Sequence, residues 1–315
     1  MVKEASFKGL KSLQLENENL KVLFLPDYGS KMVSLYNKQT DREFLFQHPE
    51  SKLKKPEYGA NYAEFDASGF DEMFPTIDST FYPDGPLAGT FIPDHGEVWT
   101  LKWSYVITGE KQIRFSVLSH KLPCKLTKSI TLNKKGLKIN YNVVNNSTDD
   151  LKFLWAAHPL LNCNHKYTKI LLPPEVDRVI NVESGNKHLG KWGTIHSYPL
   201  TNSLKTGESI DISRVSPPES GTCEKFYFPN SLQEGRSGVH YEDTDEKIIF
   251  EFPVDRVPYL GVWKTQGGFR GDYNIALEPC TAIFDDLYLA SKIDRVSQIS
   301  AGGNYNWYLK IKLIW

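Results

Sequence analysis

Three polar side chains of this chain recur in apolar company, and all three are of types that move protons near neutral pH. His158 closes the run FLWAAHP, residues 153–159; His95 sits in PDHGEVW; Glu278 sits in IALEPC. An imidazole and a carboxylate are the usual pair for general acid–base work. Glu278 follows Ile275, Ala276 and Leu277, and a carboxyl in such surroundings has its pKa raised toward neutrality, as a general base requires. The residues alone leave a second reading for each. Glu278 could be the polar end of a strand before Pro279, His158 a structural histidine at a strand end, and His95 a solvated turn residue behind Asp94.

Other chemistries have less support in the spacing. The 8 histidines form no HxH, HExxH or HxxxH pair, and Cys124, Cys163, Cys223 and Cys280 are scattered without a CxxC, so no metal site is expected. The glycine-rich GGFRG at 267–271 has no GK[ST] and no helical pattern after it, which argues against a phosphate loop or dinucleotide site. There is no GxSxG, hence no nucleophile elbow. Proton transfer needs no cofactor, and none is expected.

The elements that must position these groups are strands. Leu137, Ile139, Tyr141 and Val143 alternate with Lys138, Asn140 and Asn142, the period of a half-solvated strand. Similar alternation predicts strands over 20–25, 32–36, 43–47, 98–108, 112–119, 124–132, 151–158, 224–228, 238–241, 247–252, 258–264, 273–279 and the C-terminal 307–315. Asn133–Gly136 reads as a hairpin turn, and LLPPEVDRVINV as the edge of a strand pair. Helical periodicity is confined to a turn or two at 285–289. Residues 48–97 lack periodicity but are dense in aromatics, from Tyr58 to Phe91. Disordered segments lack such residues, so 56–97 is expected to be an ordered loop walling the site mouth. The result is an all-β class, with residues 1–315 as one domain.

Composition bounds the partners. With 37 basic and 38 acidic residues the net charge is −1, so neither nucleic acid nor a charged membrane surface is an expected partner. No run approaches the ~18 apolar residues of a membrane span, and the N-terminus has no signal-peptide core. A cytoplasmic protein with free thiols is expected; oligomeric state is left open.

The strings EMFPTID, PDHGEVW, LWAAHP, PYLGVWK and IALEPC occur in that order between residues 70 and 280. Together they resemble the aldose 1-epimerase (galactose mutarotase) superfamily, and more closely its shorter bacterial relatives. The resemblance implies a galactose mutarotase-like β-supersandwich of mostly antiparallel strands, a small-molecule sugar as substrate and no cofactor. It implies His158 as general acid, Glu278 as general base and His95 as the residue that orients the sugar, in a ring opening that exchanges α and β anomers. The acid–base pair is expected on opposite sides of a pocket one pyranose wide. Where relatives carry arginine ahead of the first histidine, this chain has Asp71 and Glu72, and after HG it has Glu97; these acidic groups are expected to disfavour phosphorylated sugars. The family's sugar-binding Asp finds its nearest counterparts in Glu224 and Lys225, and Trp263 is either a stacking platform or a core residue. Asp71, Lys225 and Trp263 therefore join His95 as expected substrate contacts. The alternative is a carbohydrate-binding protein without turnover, or a relative acting on another sugar derivative.

Overall fold

The computed structural model describes residues 1–49, 52–65, 67–184 and 187–315. Among these, about 5% are helical, and every strand ladder is antiparallel. The period-2 pattern has done what the pleat requires, putting one face of each strand into an apolar core. In the strand Gly136–Asn145, Leu137, Ile139, Tyr141 and Val143 are buried while Lys138, Asn140, Asn142 and Val144 are half-buried or exposed.

Two sheets carry the structure, of 12 and 8 strands among the described residues. The smaller includes Ser104–Gly109, Gln112–Leu118, Cys124–Asn133, Gly136–Asn145 and the C-terminal Asn304–Ile314. The centre of the larger runs, in spatial order, Phe70–Met73, Ala156–Asn162, Tyr273–Cys280, Tyr259–Gln266, Thr222–Tyr227 and Arg178–Ser184. Aromatic side chains join the sheets: Phe24 meets Phe115 at 5.7 Å, and Trp155 lies 4.7 Å from Tyr141 and 5.1 Å from Trp307 between ring centroids. A buried charge lies in the same layer. Glu72, from the larger sheet, accepts from Lys128 at 3.1 Å and Tyr141 at 3.0 Å of the smaller one, and from the Trp155 indole at 2.8 Å. Three donors offset the cost of burying a carboxylate.

Four sequence expectations change in detail. Residues 151–158 are not one strand: Phe153 pairs with Ser297 in a small two-stranded sheet, whereas Ala156 pairs with Met73 and Cys280 in the larger. The switch falls at Leu154 and Trp155, whose backbone N–H groups go to Pro75 O and Thr281 Oγ1. The strand expected from 98 begins at Ser104, because the preceding residues curl. There the Trp99 indole donates to Asp94 O, the Trp103 indole to Val98 O and Thr100 Oγ1 to Glu97 O. Residues 171–182 are not a paired edge: Thr168–Leu171 belongs to the smaller sheet and Arg178–Ser184 to the larger, with Pro173 and Pro174 in the crossing. The strand expected over 43–47 shrinks to Arg42–Glu43, followed by an isolated bridge from Leu45 to Leu161. The short helix is Leu287–Lys292, capped by Asp286. No helix among the described residues is long and apolar enough to cross a membrane.

Candidate active site

The site lies on the face of the larger sheet that turns away from the core, and strand parity selects its residues. Lys225 pairs with Trp263, Trp263 with Ala276, and Ala276 with Leu160, so these four form one row across four strands. Glu183 extends that row beside Lys225. In the neighbouring row Tyr227 pairs with Gly261 and Gly261 with Glu278. The pairings Ala156–Cys280 and Leu160–Ala276 set His158 opposite Glu278, and His158 in turn pairs with Asp71. Both acid–base candidates precede a proline, Pro159 and Pro279. Neither proline has an N–H, so the ladder between these two central strands is loosened at the site.

These rows floor a cleft of ≈ 380 Å³, within the usual range for small-molecule sites. Tyr62, Ala67, Ile77, Asp78 and His95 form one wall, all from the aromatic-rich segment 56–97, while Asp66 lies outside the described residues. Gly268, Phe269 and Asp272 line it from the glycine-rich loop, and Asp285 from the turn before the helix.

His158 is 5% exposed and Glu278 fully buried beneath the cleft, with His158 Nε2 at 3.7 Å from Glu278 Oε1. That is too long for a hydrogen bond, and Glu278 Oε1 has no hydrogen-bond partner among the described residues. The pair therefore does not face across the width of a pyranose, as the sequence reading expected. It converges on one point.

Burial, reinforced by the charges of His95, Lys225 and Lys31, holds the His158 imidazole well below its ordinary pKa. Burial raises the Glu278 carboxyl, against the opposing pull of Lys225. Lys225 Nζ lies 2.8 Å from Glu278 Oε2 and 2.7 Å from Asp285 Oδ1. Burial opposes its charge, but these two carboxylates outweigh it and push the ammonium pKa up. Tyr227 donates to Asp285 Oδ1 at 2.6 Å. Gly261 makes room for this arrangement, since a Cβ there would meet Tyr227 Cζ at 2.8 Å.

His95 reaches the cleft from its loop in a left-handed conformation, φ +57°. Its Nδ1 is 2.8 Å from Asp94 Oδ1, an arrangement that assigns the proton to Nδ1 and leaves Nε2 for a ligand. The ring stacks on Tyr62 at 4.0 Å and lies 5.8 Å from the His158 ring. Asp94 also accepts from the backbone of Tyr62 at 2.8 Å, so one carboxylate fixes both aromatic walls.

Of the other expected contacts, Lys225 and Trp263 line the cleft and Asp71 does not. Asp71 is fully buried, 3.0 Å from Lys31 Nζ and 3.0 Å from the Tyr62 hydroxyl, so it supports Tyr62 from behind. Glu72 faces the opposite side of its strand, in the core. Glu97 is buried against the Tyr58 and Ser119 hydroxyls and the Lys121 N–H. Among the described residues the acidic groups that do line the cleft are Asp78, Glu183, Asp272 and Asp285. None of the four was singled out from the sequence. The carboxyl of Asp78 is raised to about 6 by loss of water on its protein side and by the nearby Asp285. Glu224 faces the core side, where it pairs with Lys264 at 2.8 Å. Among the described residues no three His, Cys, Asp or Glu side chains are grouped to hold a metal ion.

A sequence profile of the aldose 1-epimerase family matches residues 11–184, more than half of the chain. The chain belongs to this family. No curated protein shows significant similarity, but solved structures do. A galactose mutarotase-like protein from Lactobacillus casei is 18% identical, with 96% of this chain and 100% of that one covered at a TM-score of 0.67. Another, from Clostridium acetobutylicum, is 15% identical over 100% of this chain and 98% of that one, at 0.68. A protein from Synechocystis sp. PCC 6803 is 13% identical over 98% of both chains, at 0.71. The fold is thus the galactose mutarotase-like β-supersandwich, and the family is one of carbohydrate epimerases.

Proposed function

We propose that this protein interconverts the α and β anomers of an unphosphorylated aldose by acid–base ring opening, with His158 as general acid and Glu278 as general base. The observation that carries the reading is the 3.7 Å gap between His158 Nε2 and Glu278 Oε1 at the floor of the cleft. Burial raises the carboxyl and lowers the imidazole. Their proton affinities are driven toward each other, so one proton can rest on either group.

In the reactive form His158 carries that proton and Glu278 is ionised, with Lys225 balancing its charge. Glu278 takes the O1 hydroxyl proton while His158 gives its proton to O5. The C1–O5 bond breaks with its electron pair going to O5, and an O1 pair forms the aldehyde. His158 is then neutral and Glu278 protonated. After rotation about C1–C2, O5 attacks the other face of C1. Its proton returns to His158, and Glu278 returns one to O1. Every proton is restored and nothing is consumed. His95 Nε2 and Lys225 hold hydroxyls, and Trp263 offers a flat apolar surface to the ring. The four unpaired cysteines are in keeping with a cytoplasmic setting.

Polarimetry of freshly dissolved α-glucose and α-galactose tests the reading above the uncatalysed background. Glu278→Gln and His158→Asn should each lower turnover by about 10²- to 10⁴-fold with sugar affinity nearly unchanged. His95→Asn should weaken binding as well. Wild-type turnover in Glu278→Gln would end this mechanism; sugar binding without acceleration by the wild type would favour a carbohydrate-binding protein instead.

A further inference from the structure

The row that carries the acid–base pair does not stop at the cleft wall. From His158 and Glu278 it runs through Gly261 to Tyr227, and the Tyr227 ring meets Phe284 edge-on at 5.7 Å. Phe284 is followed by Asp285, which lines the cleft. On the far side of Phe284, Trp192 packs edge-on at 5.2 Å, yet remains 55% exposed.

A second path leads to the same place. The turn carrying Trp192 hangs on Asn181, a fully buried residue one position before the cleft-lining Val182. Gly193 N donates to Asn181 O at 2.7 Å, and Asn181 N to Thr194 O at 2.8 Å. The Asn181 side chain donates to Gly190 O at 3.3 Å and Lys191 O at 3.2 Å. Trp192 is therefore anchored from both flanks, and each anchor, Asn181 and Phe284, is one residue from a side chain that lines the cleft, Val182 and Asp285. A single exposed apolar residue is ordinary. An indole fixed by four backbone contacts of one buried asparagine, and packed on the residue that precedes the cleft-lining Asp285, is a built surface.

Building on the anomer-exchange reading, we propose that Trp192 is the stacking platform of a second sugar subsite, so that reducing disaccharides are preferred over free monosaccharides. The reducing unit would occupy the floor at His158 and Glu278. The next unit would lie beyond Tyr227, one face on the indole and its hydroxyls beside Glu183. The backbones of Glu278 and Tyr227 stand two strands apart, roughly 10 Å, and the Phe284 ring separates Tyr227 from Trp192. A single ring at the acid–base pair therefore leaves the indole bare. An exposed indole offers the flat apolar surface that the C–H face of a pyranose matches, while the sugar keeps its hydroxyls for water and the carboxylates.

The test compares kcat/KM for α-glucose with that for maltose, cellobiose, lactose and isomaltose, in wild type and Trp192→Ala. The wild type should favour at least one disaccharide over glucose. Trp192→Ala should lower kcat/KM for that disaccharide about 2- to 10-fold, chiefly through KM, with glucose unchanged. Glucose turnover is the internal control, because the indole touches neither His158 nor Glu278 and the Phe284 and Tyr227 rings stand between. No disaccharide preference in the wild type, or an equal loss on glucose and disaccharide in the variant, would overturn the proposal. If no sugar is accelerated at all, the anomer-exchange reading fails separately. Calorimetric titration with the same sugars then decides the subsite: disaccharide binding tighter than glucose and weakened by Trp192→Ala supports it, and equal affinities refute it.

Discussion

One cause, burial, moves His158 and Glu278 in opposite directions, and this sets the expected pH behaviour. The active form is the pair holding a single proton. Turnover above background should fall at low pH, when both groups are protonated, and at high pH, when neither is, giving a bell. The two limbs belong to the pair rather than to either residue. Asp285 offers a way to move one limb. Its charge raises the Glu278 carboxyl, and it shares the Lys225 ammonium with Glu278. Asp285→Asn keeps the shape but removes the charge, leaving Lys225 to act on Glu278 alone. The acid limb should move to lower pH while kcat falls about 10-fold as the base weakens. A loss of activity with an unmoved acid limb would reduce Asp285 to a structural role. At this scale much was legible in the sequence. His95, His158, Lys225 and Glu278, which the structure brings together at the cleft, were singled out by residue type and motif order. Asp78 and Asp285 could not, since TID and FDD are ordinary turn strings that meet only through the folded backbone: the N–H groups of Ile77 and Asp78 both donate to Asp285 O.

Alternation identified the strands but not their partners, and partners decide which polar residue faces the cleft. Parity was nonetheless available. Cys223, Lys225 and Tyr227 share one face of their strand, and Glu224 and Phe226 the other, so Lys225 and Glu224 could not both have bound sugar. The same rule separates Asp71 from Glu72. What no periodicity announces is the switch at Leu154 and Trp155, because both residues are apolar and suit either sheet. The loop that delivers His95 also depends on contacts remote in sequence. Gly96 has φ +72°, and a Cβ there would stand 2.2 Å from Phe74 O. Gly96→Ala should cost about 1–3 kcal/mol in backbone strain, read as a lowered Tm. It should also raise KM more than it lowers kcat, because His95 is displaced while His158 and Glu278 stay on their strands. A variant with wild-type Tm and KM would show that this loop can re-form without glycine.

At the scale of the whole molecule the class was legible, because strands with few helices leave only sandwiches and barrels, and the motif order pointed to this superfamily. The basis of the proposed discrimination against phosphate was not. The three acidic groups read from the sequence are buried and satisfied elsewhere, and their charge does not reach a ligand. The cleft is acidic all the same. Asp78, Glu183, Asp272 and Asp285 face it, whereas Lys225 is held between two carboxylates and His95 leans on Asp94. A sugar phosphate would bring further negative charge into a site whose lining cation among the described residues, Lys225, is already paired with two carboxylates, and in a concave site of one sign the repulsion is focused rather than dispersed. At low salt, kcat/KM for glucose 6-phosphate should be at least about 10-fold below that for glucose. The gap should narrow as ionic strength rises toward 1 M, where the screening length falls to ~3 Å. Asp78→Asn combined with Glu183→Gln should narrow it at low salt without rescuing anything for glucose, which carries no charge. Tighter binding of the phosphate by the wild type, or a gap indifferent to both salt and these substitutions, would mean that the field of the cleft is not what selects the substrate.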